Sequence, residues 1–263
     1  MTKAKVCILR APGTNCDLET KFAVEQCGAK AEIIHINKFV SKEKDLLSYH
    51  GLIIPGGFSY GDHVRSGAIM GKILGERFGE EVEEFAKQNK PILGICNGFQ
   101  VLIESGFLPA IENKREVQAS LCKNDNNKFE CRWVYLKVTN EKCIFTKGLH
   151  FVRFPVAHAE GKFITSEENL KKLKASKQVV FQYALQDQSL AERRYPFNPN
   201  GSLEDIAGIC NPEGTILGLM PHPERAFLRI TYPDWSRAKS KNEFGEGYHI
   251  FKNMVDYIIN EVL

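Results

Sequence analysis

The first hundred residues alternate short apolar runs with amphipathic stretches. Residues 4–9 form a compact apolar run that predicts a buried strand. Asn15 is placed to cap a helix carrying Leu18, Phe22 and Ala23 on one face, with Gly28 just past its end. Residues 31–36 and 51–54 read as the next two strands, and residues 66–89 as a helical region broken at Gly75 or Gly79. A fourth strand at 91–95 runs into a helix from Phe99 to Glu104. Strands alternating with helices imply right-handed crossovers and a parallel sheet covered on both faces.

The second half is richer in strands. Residues 131–138, 178–184 and 206–219 are strand-like, and 196–201 is a loop. At the C-terminus Phe251, Met254, Val255, Ile258, Ile259 and Val262 follow helical spacing, a face expected to pack on the sheet. No linker or internal repeat interrupts the chain. The expected architecture is one α/β domain over residues 1–263, flavodoxin-like and doubly wound, with a mostly parallel sheet and extra strands in the second half. Residues 230–247 read as an irregular surface excursion.

Composition narrows the function class. The chain has 263 residues, 43% hydrophobic and 25% charged, enough to bury a core without disulfide staples. A net charge of +3 gives no reason to expect a nucleic-acid partner. No apolar run is long enough for a membrane span. None of the eight cysteines forms a C-x-x-C pair, so zinc sites built from close ligand pairs are disfavoured and no metal is expected. With no signal-peptide pattern at the N-terminus, the thiols read as free in a cytoplasmic protein, where the Asn200-Gly201-Ser202 sequon goes unused.

One cysteine stands apart. Cys96 sits in Gly94-Ile95-Cys96-Asn97-Gly98, the G-x-nucleophile-x-G pattern of a tight strand-to-helix turn. A helix N-terminus there favours the thiolate. The plainer alternative is a buried cysteine closing a core strand. A nucleophilic thiol needs a base, and the base an orienting group. Met220-Pro221-His222-Pro223-Glu224 supplies both: residues before proline are pushed to extended backbone, which places His222 and Glu224 on one face. Acyl chemistry also needs an oxyanion hole. The N–H of Asn97 is one donor, and that of Gly57, in the glycine-rich loop after the third strand, is the expected second.

These pieces resemble the class I glutamine amidotransferases. The strings GGFSYGD (56–62), RSGAI (65–69), GICNGFQ (94–100), CRWV (131–134), HAEGKF (158–163), NPNGS (198–202) and LGLMPHPER (217–225) resemble, within that class, the glutaminase components of phosphoribosylformylglycinamidine synthases. The Tyr-Pro-Asp-Trp and Tyr-His-Ile-Phe strings of 230–250 are more similar to the ends of fused, large-type synthases. The resemblance implies hydrolysis of glutamine to glutamate and ammonia through a Cys96 thioester. His222 would carry protons, Glu224 orient the imidazole, and Gly57 and Asn97 hold the oxyanion. Gln100 matches a position that contacts glutamine, and Phe58, Ser59 and Tyr60 are further pocket candidates. His158 and Glu160 match a family string with no derivable role. The implied partners are glutamine, a formylglycinamidine ribonucleotide synthase subunit and a small accessory subunit.

Residues 67–73 approach a P-loop but have one residue too few between the glycines and no Ser/Thr after Lys72. ATP and Mg are therefore expected on the partner synthase, with no cofactor in this chain. Competing readings are a class I amidotransferase for another acceptor, a flavodoxin-like cysteine hydrolase or stress protein, and a catalytically silent docking subunit.

Overall fold

The computed structural model describes residues 3–140, 142–237 and 242–263. In chain order the elements are β1 (Lys5–Arg10), α1 (Asp17–Gln26), β2 (Lys30–His35), α2 (Asn37–Val40), β3 (Gly51–Ile54), α3 (Ala68–Arg77) and α4 (Gly79–Lys87). They continue through β4 (Ile92–Ile95), α5 (Asn97–Glu104), β5 (Ala119–Lys123), β6 (Glu130–Val138), β7 (Phe151–His158) and β8 (Glu160–Thr165). The last are α6 (Glu167–Ala175), β9 (Val179–Ala184), β10 (Ile206–Cys210), β11 (Ile216–Leu219) and α7 (Gly247–Tyr257).

Among the described residues, nine strands form one sheet in the order β2-β1-β3-β4-β11-β10-β9-β6-β7. The run from β2 to β11 is parallel, the doubly wound part, and the run from β11 to β7 is antiparallel. Strands β5 and β8 pair separately. The central strands β3, β4, β10 and β11 are buried along their whole length, which explains their continuous apolar runs.

Helix α5 lies unusually close to this centre, at positions occupied by glycine. A Cβ on Gly98 would stand 1.8 Å from the Ile54 carbonyl oxygen, and one on Gly218 would stand 2.1 Å from Phe99 Cδ2. Helix α3 crosses α5 with the same device: a Cβ on Gly71 would stand 2.5 Å from Glu104 Cβ. The near P-loop at 67–73 is therefore the start of α3, its glycines serving close packing.

Several elements differ from the sequence expectation. Cys16, not Asn15, is the residue preceding α1, and the N–H groups of both donate to the Gly56 carbonyl. The buried face of α1 is Asp17, Thr20, Ala23 and Val24, while Leu18 and Phe22 are exposed. An Arg10–Asp17 ion pair at 2.8 Å and a Thr20 hydroxyl donating to the Cys16 carbonyl select that register. The 66–89 helix breaks at Phe78, just before Gly79. The 206–219 run is two antiparallel strands joined by a turn.

Strands β5, β7 and β8 and helix α6 were not anticipated. Pro155 disguises β7, yet β7 is the edge strand, where a missing N–H costs no ladder bond. The C-terminal helix packs as expected on the sheet through Met254 and Ile258, which would meet a Cβ on Gly51 at 2.6 and 2.9 Å. Ile259, however, is exposed.

Within the 230–247 excursion, residues 238–241 lie outside the described residues. The rest is anchored. Tyr232 is buried against Trp133 at 4.6 Å between centroids, and Arg153 lies over both rings while pairing with Asp234.

The close approach of α5 makes a stability prediction. Gly98→Ala lowers unfolding free energy by about 3 kcal/mol or more, because backbone is the obstacle and cannot rotate away. Gly28→Ala, at φ +97° with open space around it, costs only about 1–2 kcal/mol. Urea denaturation of the two variants checks the ranking, and equal losses would contradict it.

Candidate active site

Cys96 joins β4 to α5 with φ 51° and ψ −105°, a left-handed conformation that a non-glycine residue holds only when its surroundings impose it. Its N–H donates to the Leu219 carbonyl at 2.8 Å, and its carbonyl accepts from Phe99 and Gln100 at 3.0 and 3.1 Å. The turn is thus bonded on both sides. The thiol is nearly buried, 3.7 Å from the Ala157 carbonyl oxygen. The first N–H groups of α5, that of Asn97 foremost, have no acceptor within the helix.

His222 follows β11. Its N–H donates to the Pro155 carbonyl of β7 at 2.8 Å, so the proline-bearing edge strand holds the histidine backbone. His222 is extended as expected, but Pro223–Ala226 form a 3₁₀ turn. That turn, not a continued extended segment, brings Glu224 to the imidazole. The two side chains are buried and joined at 2.6 Å between Nδ1 and Oε1. The carboxylate accepts the Nδ1 proton, which leaves Nε2 as the nitrogen available for proton transfer. Burial works against a charged imidazole here, but the Glu224 carboxylate and the Cys96 thiol outweigh it and hold His222 well above the ordinary histidine range.

The glycine-rich loop closes over the pair. A Cβ on Gly56 would stand 2.8 Å from His222 Cε1 and 3.2 Å from the Cys16 sulfur. Phe58 and Tyr60 spend their N–H groups on the Gly13 and Pro12 carbonyls at 2.9 and 2.7 Å. The N–H of Gly57 between them has no backbone partner among the described residues. Ser59 donates its N–H to Asn97 Oδ1 at 3.1 Å, tying loop to turn. The Ser59 hydroxyl is buried without a partner among the described residues, while Phe58 is half exposed and stacks on Phe129 at 6.4 Å. Tyr60, at φ 54°, is partly buried against the core.

Gln100 is buried, and its amide is held at both ends. It accepts from Asn97 Nδ2 at 3.0 Å and donates to the Glu160 carbonyl at 2.5 Å. Glu160 in turn accepts the Ser66 N–H at 2.9 Å. His158 is buried with Nδ1 3.2 Å from Asn124 Oδ1, and Asn124 also bonds the His158 carbonyl and the Gly161 N–H. Burial, reinforced by the charge on His222, pushes His158 down to about 3, so it stays neutral. The NPNGS string braces the same wall, with Asn200 donating to the Gly161 carbonyl and Ser202 accepting from Phe163.

Among the described residues, six buried side-chain polar atoms lack a partner, and four belong to Ser59, His158, His222 and Glu224. An unpaired buried polar group costs about 1–3 kcal/mol, so their gathering here marks a place built for a ligand. Cavities of 440 Å³ beside α4 and 590 Å³ beside α7 contain none of these groups. Sequence reasoning missed Cys16, whose buried sulfur accepts from Arg225 Nη2 at 3.2 Å beside His222, and Asn124. Neither stands in a pattern that signals chemistry.

The family described as the CobB/CobQ-like glutamine amidotransferase domain matches residues 3–258. The phosphoribosylformylglycinamidine synthase subunit PurQ of Archaeoglobus fulgidus is 43% identical, with 97% of each chain covered. The same subunit from Methanococcus maripaludis is 42% identical over 96% of this chain and 97% of that one. These relatives are named as subunits, not fused synthases. Among solved structures, PurLQS from Thermotoga maritima superimposes with a TM-score of 0.74 at 31% identity, covering 98% of this chain and 100% of that one. A glutamine amidotransferase from the same organism, 16% identical with a TM-score of 0.56 over 99% and 100% of the two chains, shares the fold.

Two predictions follow from the geometry. Gly56→Ala forces the imidazole away from its place and lowers turnover while leaving substrate affinity nearly intact, read from kcat against KM. Separately, the unfolded chain takes a proton at residue 158 below about pH 6.5 that the folded one refuses down to about 3. Stability is therefore lost as pH falls through that window, by up to about 1.4 kcal/mol per pH unit. His222 runs the other way, its contribution being complete below about pH 6.5 and lost above its raised folded value. His158→Asn should flatten the acid limb of a stability–pH curve, and an unchanged limb refutes the assignment.

Proposed function

The chain belongs to the CobB/CobQ-like glutamine amidotransferase family, and from that premise we propose that it is the glutaminase subunit of a phosphoribosylformylglycinamidine synthase in purine biosynthesis. The observation that carries the chemistry is the buried His222–Glu224 pair set beside a thiol on a strained strand-to-helix turn. The acceptor reaction rests on the near full-length likeness to PurQ subunits.

Nε2 of His222 takes the Cys96 proton, the Glu224 carboxylate stabilising the imidazolium, and the thiolate attacks the carboxamide carbon of glutamine. The oxyanion of the tetrahedral intermediate accepts hydrogen bonds from the N–H groups of Asn97 and Gly57. Collapse breaks the C–N bond as His222 returns the proton to the nitrogen, and ammonia leaves a glutamyl thioester. Water, deprotonated by the same imidazole, cleaves the thioester to glutamate and restores the thiol. Glu224 touches no reacting atom. It keeps the proton on Nδ1 and stabilises the imidazolium.

Ser59, with its unpartnered hydroxyl, and Phe58 form the pocket mouth. Gln100 belongs to the pocket wall and meets substrate only by exchanging one of its two internal bonds. Residues 1–263 act as one domain, since a single sheet draws strands from residue 5 to residue 219.

The ammonia passes to a synthase subunit, with a small accessory subunit completing the assembly. ATP and Mg belong to the synthase. No helix among the described residues is long and apolar enough to cross a membrane, in keeping with a cytoplasmic place beside that partner.

Cys96→Ala abolishes glutamine hydrolysis, and an electrophilic glutamine analogue labels Cys96 alone among the eight cysteines. Labelling elsewhere refutes the nucleophile. Glu224→Gln lowers kcat by about 10³–10⁴-fold with KM little changed. Glutamine-dependent turnover of formylglycinamide ribonucleotide and ATP by the chain mixed with the synthase tests the acceptor. Turnover of another amination substrate instead moves the assignment to a different amidotransferase.

A further inference from the structure

The back of the catalytic imidazole holds a second thiol that the mechanism above does not use. Cys16, His222 and Glu224 each present one ligand atom, all within 4.8 Å of one another, and all three residues are buried. A Cβ on Gly56 would stand 2.8 Å from His222 Cε1, 3.2 Å from the Cys16 sulfur and 3.4 Å from His222 Nδ1, so sulfur and ring converge on one point of the loop. Glu224 Oε2 is buried on the same cluster without a hydrogen-bond partner among the described residues. Thiolate, imidazole and carboxylate together suit a borderline-soft divalent cation, zinc above all, and poorly suit magnesium or calcium.

We propose that Cys16 Sγ, His222 Nδ1 and Glu224 Oε2 form an inhibitory site for a thiophilic divalent cation, which switches the glutaminase off by capturing its base. On binding, the Cys16 S–H proton leaves to solvent and the Nδ1–H···Oε1 bond gives way to coordination at Nδ1. The ring proton moves to Nε2. That nitrogen can then no longer accept the proton of Cys96, so the first step stops without occupation of the substrate pocket.

Arg225 guards the way in. Its guanidinium donates to the Cys16 sulfur at 3.2 Å, and its side chain is 40% exposed. It also lies 4.0 Å from Glu19, a partner it keeps after yielding the sulfur.

Zinc itself is the probe, used on the full-length chain carrying Cys122→Ser and Cys131→Ser, the two cysteines that are not buried. Equilibrium dialysis should find one zinc per chain, retained in Cys96→Ser. Binding should weaken by at least about tenfold in Cys16→Ser, which loses a ligand outright. Arg225→Ala should bind more tightly. Zinc should inhibit glutamine hydrolysis and a chelator should restore it, whereas the rate of Cys16→Ser should be the same with zinc as without it. Unchanged affinity in Cys16→Ser, or its loss in Cys96→Ser, overturns the site. Zinc bound with activity intact overturns the inhibitory role. That role rests on His222 being the base, which glutamine hydrolysis by the zinc-free chain tests separately.

Discussion

The structure depends on how closely α5 can lie on β3, β4 and β11. A Cβ at Gly98 would overlap the Ile54 carbonyl, and one at Gly94 would stand 2.6 Å from Leu102 Cδ1 and 2.7 Å from the Gly98 carbonyl oxygen. Without those side chains the helix begins directly above the strand ends, and Cys96 is forced into its left-handed turn. The strain is held by the Leu219 carbonyl on one side and by the first turn of α5 on the other. From that seat Asn97 organises the surroundings, since its side chain pins the Ser59 loop and the Gln100 amide together.

The two halves of the sheet divide the chemistry. The parallel half ends in the turn and in the glycine-rich loop, at the carboxyl ends of adjacent strands where doubly wound sheets place their ligands. The base follows β11, where the two halves meet, and is anchored by the antiparallel half. Its edge strand β7 cannot use Pro155 as a donor, but the Pro155 carbonyl receives the His222 N–H. A residue that weakens a strand signal in sequence thus anchors the general base. Burial of the whole constellation strengthens the His222–Glu224 interaction, and it explains why His158 beside it must remain neutral.

Much of this was legible from the chain. The first four parallel strands, the turn around Cys96 and the Pro-His-Pro-Glu segment all depend on residues within a few positions of one another, where periodicity and turn chemistry speak directly. The misreadings share a cause. The α1 pattern admitted two faces, and the choice fell to Arg10 reaching Asp17, a contact between elements. Glu224 was placed by an extended segment, but a 3₁₀ turn delivers it. The Gln100 amide, expected to face substrate, is taken up by Asn97 and by the Glu160 carbonyl. Strand β7 was hidden because a proline is excluded from a central strand but not from an edge, and edge position is a property of the finished sheet.

The sequence by itself determined the alternation of strand and helix, the strained turn that carries Cys96 and the adjacency of His222 to Glu224. Each follows from steric rules acting along a few bonds. Tertiary structure alone decided that the Cys16 and Cys96 thiols both lie near the imidazole, that Pro155 holds it from another strand, and that Asn124 and the 198–202 loop brace the wall around His158. Those outcomes rest on contacts between segments far apart in the chain. Such contacts are chosen by the packing of the whole core and by the cost of leaving a buried polar group unpaired, and local sequence carries no record of either.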